Sequence, residues 1–151
     1  MAVSQLSPSD IHEEVRSRLA NHEIRYTGGR QAVIRALQRV NGPQSAADLH
    51  KRVKSVPLSS LYRSLTVLDE AGVLRKHHDA DGLARFELAE WLTGHHHHVV
   101  CVECGMVEDV ELDKKAERML DQLAEALATA AGYQLDGHVL EVEGVCGSCR
   151  T

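Results

Sequence analysis

All four cysteines of the chain stand in two Cys-x-x-Cys pairs, Cys101-Val102-Glu103-Cys104 and Cys146-Gly147-Ser148-Cys149. Two residues between cysteines let both sulfurs turn toward one point, and Gly105 and Gly147 ease the turn. Two such knuckles complete the tetrahedral thiolate shell that zinc prefers. This predicts a structural Zn(II) on Cys101, Cys104, Cys146 and Cys149, and it constrains the fold, because the end of the chain must return to the first pair. A lone pair would suit a redox dithiol, but neither pair has the βαβ setting such a site needs.

Four consecutive histidines, His95 to His98, precede the first pair. Successive side chains on a strand point to opposite faces, so His95 and His97 face one way and His96 and His98 the other. Each pair can grip a metal, and carboxylates should complete each shell. Glu87 and Asp109, on neighbouring strands, serve one set. His138, with Glu117 or Asp121 from a helix, serves the other. The run is internal, unlike a purification tag. His12, His22 and His50 read as surface or packing residues, and His77 and His78 stand on a strand within possible reach of the first set.

The formal net charge of −5 hides a division. Residues 1–77 carry 12 Lys and Arg against 7 Asp and Glu, whereas residues 78–151 carry 5 against 15. A basic half followed by an acidic, histidine-rich half suits a nucleic-acid module joined to a metal or dimerisation module. The chain starts Met-Ala-Val-Ser-Gln without a basic-then-apolar segment, and it has no apolar run of membrane-spanning length. It therefore reads as cytoplasmic and without a membrane partner.

Periodicity predicts four helices in the first half. The first covers residues 9–21, capped by Ser9 or Asp10, with Ile11, Val15 and Leu19 inward. A second follows Thr27 and stops at Asn41-Gly42-Pro43. A third, short helix opens on Ser45 with Asp48 in a capping-box pattern. A fourth is capped by Ser59, buries Leu61, Leu65 and Leu68, and ends at Gly72. Runs at residues 73–77 and 84–88, joined by Asp79-Ala80-Asp81-Gly82, read as a hairpin. Helix, short helix, turn, helix, hairpin is the order of a winged helix-turn-helix.

The fourth helix is then the reader of DNA. Arg63 is long enough for a guanine edge, Tyr62 suits a thymine methyl or a phosphate, and Ser60, Ser64 and Thr66 lie off the buried stripe. Arg30, Lys51 and Arg52 suit phosphate contacts. Residues 89–94 read as a linker. Beyond them, residues 96–102, 106–110 and 139–145 read as strands, and residues 113–131 as an amphipathic helix with Ala116, Met119, Leu120, Leu123 and Leu127 on one stripe. The expected architecture is α+β: a winged-helix domain over 1–88, a hinge over 89–94, and an α/β dimerisation and metal-binding domain over 95–151.

Several stretches together resemble the ferric uptake regulator family: Tyr26-Thr27 to Gln31, Ser45-Ala46-Ala47-Asp48-Leu49, Leu61-Tyr62-Arg63-Ser64-Leu65, the four histidines with the first cysteine pair, and the closing pair. The resemblance covers essentially the whole chain. It implies a homodimeric, metal-dependent repressor binding palindromic double-stranded operators, with structural zinc in the cysteines and a sensing metal at the hinge. Carried over, the sensor matches Glu87, His96, His98 and Asp109, and a second site matches His95, His97, His138 and a helical carboxylate, Asp121 being favoured over Glu117. The chain departs from the family where many iron and peroxide sensors have a histidine, since Gly42-Pro43-Gln44 stands there. It also has no spare cysteine after the wing, unlike many zinc sensors. Fe(II) is the expected regulatory metal, with Mn(II) or Zn(II) as alternatives. A zinc hydrolase or redox enzyme is the rival class, but the helical HExxH pattern of metalloproteases is missing.

Overall fold

The computed structural model describes residues 6–78 and 82–150 and divides the chain after Gly94 into two compact units. The first unit begins with α1 (Pro8–Asn21), which is capped by Ser7 and not by Ser9 or Asp10. Ser7 accepts the amide of Asp10 while the Asp10 carboxylate takes the Ser7 amide, and Pro8 at the first helical position has no amide to satisfy. Thr27 caps α2 (Gly28–Leu37), which ends before the expected stop at Asn41.

A two-residue strand missed in the sequence, β1 (Gln44–Ser45), leads directly into α3 (Ala46–Arg52). Ser45 accepts the Asp48 amide at 3.1 Å and donates to the Asp48 carboxylate at 2.6 Å. α4 (Leu58–Glu70) follows, with Pro57 at its N-cap and no side-chain cap, so Ser59 lies inside the helix and not at its head. Gly72, with φ near +70°, turns the chain out of α4, a conformation that favours glycine.

β2 (Leu74–His78) and β3 (Ala84–Leu88) pair antiparallel, in the sheet order β1-β3-β2. Of the predicted turn joining them, Asp79, Ala80 and Asp81 lie outside the described residues. Ile11, Val15 and Leu19 of α1, Val33 and Ile34 of α2, Leu49 of α3 and the Leu61, Leu65, Leu68 stripe of α4 form one core with Val73, Phe86 and Leu88. The expected hinge is no free linker. Residues Glu90–Thr93 form a helical turn, α5, that buries Leu92 in this core. Trp91 donates its indole N–H to the Gly72 carbonyl at 2.7 Å, Arg18 stacks 5.6 Å from the Trp91 ring, and Arg75 pairs with Glu90 at 2.6 Å. Trp91 and Leu92 give the segment an apolar surface that is more stable docked than in water.

The second unit is a three-stranded sheet with one helix. β4 (His97–Cys101) is central, antiparallel to β5 (Val107–Val110) and parallel to β6 (Glu141–Gly144). Parallel pairing needs a long connection, which contains α6 (Lys114–Ala130), capped by Asp113. The single apolar stripe expected on α6 divides in two: Ala116 and Leu120 are half-buried, whereas Met119, Leu123 and Leu127 are 63%, 57% and 64% exposed. Among the described residues no helix is long and apolar enough to cross a membrane.

Candidate metal centres and nucleic-acid interface

The parallel β4–β6 pairing sets the first centre. Cys101 ends β4 opposite Gly144 of β6, so the chain leaving β6 brings Cys146 back to the first knuckle. The amide of Gly105 donates to the Cys101 carbonyl at 2.8 Å and that of Cys149 to the Cys146 carbonyl at 3.0 Å, closing a tight turn in each pair. All four sulfurs lie within 4.8 Å of one another, and those of Cys104 and Cys146 are 3.9 Å apart. A tetrahedron with zinc–sulfur bonds of about 2.3 Å has edges of about 3.8 Å, so the set fits Zn(II).

The electrostatics of the four thiols point the same way. The Cys146 amide donates to the Cys101 sulfur at 3.3 Å and, with the Cys104 amide, lowers that thiol to about 6. Cys149 is pushed up to about 12, first by Cys146 and then by Cys104. Four thiolates at this spacing repel one another unless a cation sits among them.

The second centre grows from the strand alternation. His95 and His97 share a face, their rings 4.7 Å apart at right angles, and His138 lies beside them. Into this face Glu117, in the first turn of α6, sends its carboxylate, 3.0 Å from His97 Nε2, 3.0 Å from His95 Nε2 and 3.3 Å from His138 Nε2. The four donor atoms lie within 4.8 Å of one another. Tetrahedral zinc with bonds of about 2.0–2.1 Å needs donor separations of about 3.3 Å, and Glu117 stands near that distance from all three imidazoles, as His95 does from His138 at 3.3 Å. Burial raises the Glu117 carboxyl, but the hydrogen bond to His97 and the charges of His97, His95 and His138 outweigh it and hold the group below its ordinary value.

Asp121 does not join this cluster. One helical turn beyond Glu117, it reaches only the outer Nδ1 of His138, at 3.3 Å, and its side chain is 58% exposed. The preference for Asp121 is therefore corrected to Glu117, which α6 places in the cluster because the helix starts at Lys114. Asp121 instead holds the His138 ring from its outer nitrogen.

The other face holds His96 and His98, with ring centroids 5.2 Å apart. His98 is 4% exposed and its Nε2 is 3.7 Å from Asp109, its cross-strand neighbour on β5. Within the first unit, Glu87 of β3 is 8% exposed and binds His77 Nε2 at 2.6 Å. His77 and Glu87 sit on the diagonal of the β2–β3 ladder, on one face of the sheet. That contact of His77 was legible only as a possibility, since its register depends on where the hairpin turns.

On α4, Ser60, Tyr62 and Arg63 are exposed, Tyr62 at 54%. Ser64 is buried at 7% and belongs to the packed face, not among the outward residues. Arg52 is exposed, and Lys51 is exposed but paired with Asp48 at 3.2 Å. Arg30 is drawn inward: its Nη1 donates to the Arg25 carbonyl and its Nε is buried, which reduces its reach toward a phosphate.

The two units, one with an exposed polar face on α4 and one with two clusters of side chains that could hold metal ions, define a protein of mixed helix and sheet equipped to bind metal. Residues 21–143 match the ferric uptake regulator family. The ferric uptake regulation protein of Neisseria gonorrhoeae is 30% identical over 139 residues, covering 89% of this chain and 92% of its own. That of Vibrio vulnificus is 37% identical over 113 residues, 70% of each chain. The crystal structure of the Vibrio cholerae ferric uptake regulator superposes with a TM-score of 0.67 at 29% identity, covering 87% of this chain and 98% of its own. The chain belongs to the ferric uptake regulator family. It is accordingly a metal-responsive transcriptional regulator and not an enzyme.

Proposed function

We propose that this protein is a homodimeric repressor that binds a palindromic operator when Fe(II) occupies a sensor built from Glu87, His96, His98 and Asp109. Residues 1–88 act as the winged-helix module, with α4 as reader, and residues 95–151 as the dimerisation module. The observation that carries the reading is the division of the histidine run. His95 and His97 are engaged with Glu117 and His138, which leaves His96 and His98 on the opposite face beside Asp109.

The residues have distinct parts in this scheme. The cysteines hold the closing segment against β4 through a structural Zn(II), which supplies folding energy to a unit with few buried apolar side chains. The exposed stripe of Met119, Leu123 and Leu127 suits a second copy of the chain. Glu87 belongs to the DNA-binding module and His96, His98 and Asp109 to the dimerisation module, so cation binding by all four limits how the modules are oriented. A cation that binds the DNA-competent arrangement better shifts the population toward it. Nitrogen and oxygen donors without a thiolate suit Fe(II) or Mn(II), although Zn(II) binds such a set at least as tightly. The related ferric uptake regulator of Pseudomonas aeruginosa, 26% identical over 87% of this chain, has been solved with manganese.

A mobility-shift titration of operator DNA with and without Fe(II) under anaerobic conditions tests this reading. Metal-stimulated binding supports it. Equal binding in the presence and absence of Fe(II), Mn(II) and Zn(II) would contradict it.

A further inference from the structure

The first unit carries a group of three cations, of which Arg35 and Arg39 belong to neither the metal nor the DNA-contact residues, while Arg52 is expected to contact phosphate. α2 and α3 border an open depression of about 370 Å³ into which Arg35, Arg39 and Arg52 project, with Ser55 at the edge and Ala36 and Val53 in the lining. No carboxylate among the described residues lines it. Among the described residues none of the three guanidinium groups forms an ion pair or a side-chain hydrogen bond.

Helix ends account for part of this charge. Arg35 lies in the last turn of α2 and Arg52 in the last turn of α3, where cations complement the unpaired carbonyls. Each helix end is worth at most about half a negative charge, so two ends offset roughly one of the three positive charges. An excess of about two charges remains in a concave, partly apolar setting. Guanidinium groups stay charged at any physiological pH, and their forks match phosphate oxygens in pairs.

We propose that this depression is a phosphoanion site, in which a phosphate group is held by Arg35, Arg39 and Arg52 with the Ser55 hydroxyl as a further donor. Two sources present the same chemistry. One is the backbone of bound DNA, because Ser55 lies two residues before Pro57, the N-cap of α4; that source rests on α4 being the reader. The other is a free phosphorylated compound, for which the depression is near the lower end of ordinary ligand pockets, roughly 300–1,000 Å³.

The zinc-loaded, full-length protein is compared with its Arg35→Gln/Arg39→Gln variant, both positions being exposed. Sodium pyrophosphate is titrated calorimetrically at constant ionic strength, and binding to a duplex of unrelated sequence is measured against salt. Saturable pyrophosphate binding, weakened about tenfold or more in the variant, supports the site and assigns a free phosphoanion. A salt slope smaller by about 0.9 per lost contact, without pyrophosphate binding, supports the site and assigns the DNA backbone. Wild type and variant that are indistinguishable in both titrations overturn it. Arg63→Ala serves as the separate control on α4: unchanged sequence preference there would remove the reader and leave the pyrophosphate result standing.

Discussion

Glu117 and Asp121 are one helical turn apart, carry the same charge and flank the same histidine, yet their geometry gives them different weight. Glu117 meets three imidazoles at 3.0–3.3 Å, and Asp121 meets one ring on its far nitrogen. Glu117→Ala should therefore abolish tight metal binding at the histidine cluster, whereas Asp121→Asn should weaken it by about 10–100-fold, as expected for a group that orients a ligand. Competition with a calibrated chelator, on protein whose cysteine zinc is intact, measures both; equal losses would return Asp121 to the ligand set. The cysteines carry more energy. Cys104→Ser or Cys149→Ser removes one thiolate from the proposed zinc site, where a structural zinc would contribute about 10–16 kcal/mol of apparent binding energy. Either variant should lose zinc and become monomeric or unfolded, by metal analysis and sedimentation. A zinc-free variant that remains a folded, DNA-competent dimer would show that the thiolates have no structural part.

At the scale of elements, two features decide whether the units hold. The α3 cap is the more local. The Ser45 hydroxyl, 4% exposed as a residue, holds the Asp48 carboxyl below its ordinary range. Ser45→Ala should cost about 1 kcal/mol at neutral pH, read by urea unfolding. A carboxyl lowered in the fold contributes stability above its unfolded pKa and loses it as pH falls through the folded one. The difference between wild type and variant should therefore narrow in acid; no difference at neutral pH would show the cap to be idle. The α6 stripe is the larger feature. Met119, Leu123 and Leu127 recur every fourth residue and stand open, so Leu123→Lys should dissociate the dimer while leaving its cysteine zinc bound. A dimer that survives this change at micromolar concentration would place the interface elsewhere.

Across the whole molecule, what the sequence disclosed depended on whether a signal was local. Helix α4 follows from side-chain periodicity, since Leu61, Leu65 and Leu68 could face only one way, and strand β3 from a strand-like run after a turn signal. The alternation of the histidines likewise needed only a strand. The Ser7 cap, the two-residue β1 and the docking of Leu92 were not legible. The last two depend on distant partners: Gln44 and Ser45 become a strand only through Phe86 and Arg85. The Ser7 cap and the choice of Glu117 depended on where a helix begins, and helix boundaries are the least certain part of any pattern. The resemblance to a known family supplied the roles, and the geometry supplied the choice between carboxylates.

The two faces of the histidine run do different work in this scheme, and operator affinity against free Fe(II) tests that division most directly. His96→Ala/His98→Ala should remain folded and dimeric, keep its cysteine zinc and lose metal-stimulated operator binding. His95→Ala/His97→Ala should keep much of that response while its dimer becomes less stable. If the odd-numbered pair abolishes the response and the even-numbered pair preserves it, the sensor lies on the face shared with Glu117 and His138, and the roles of the two faces are reversed.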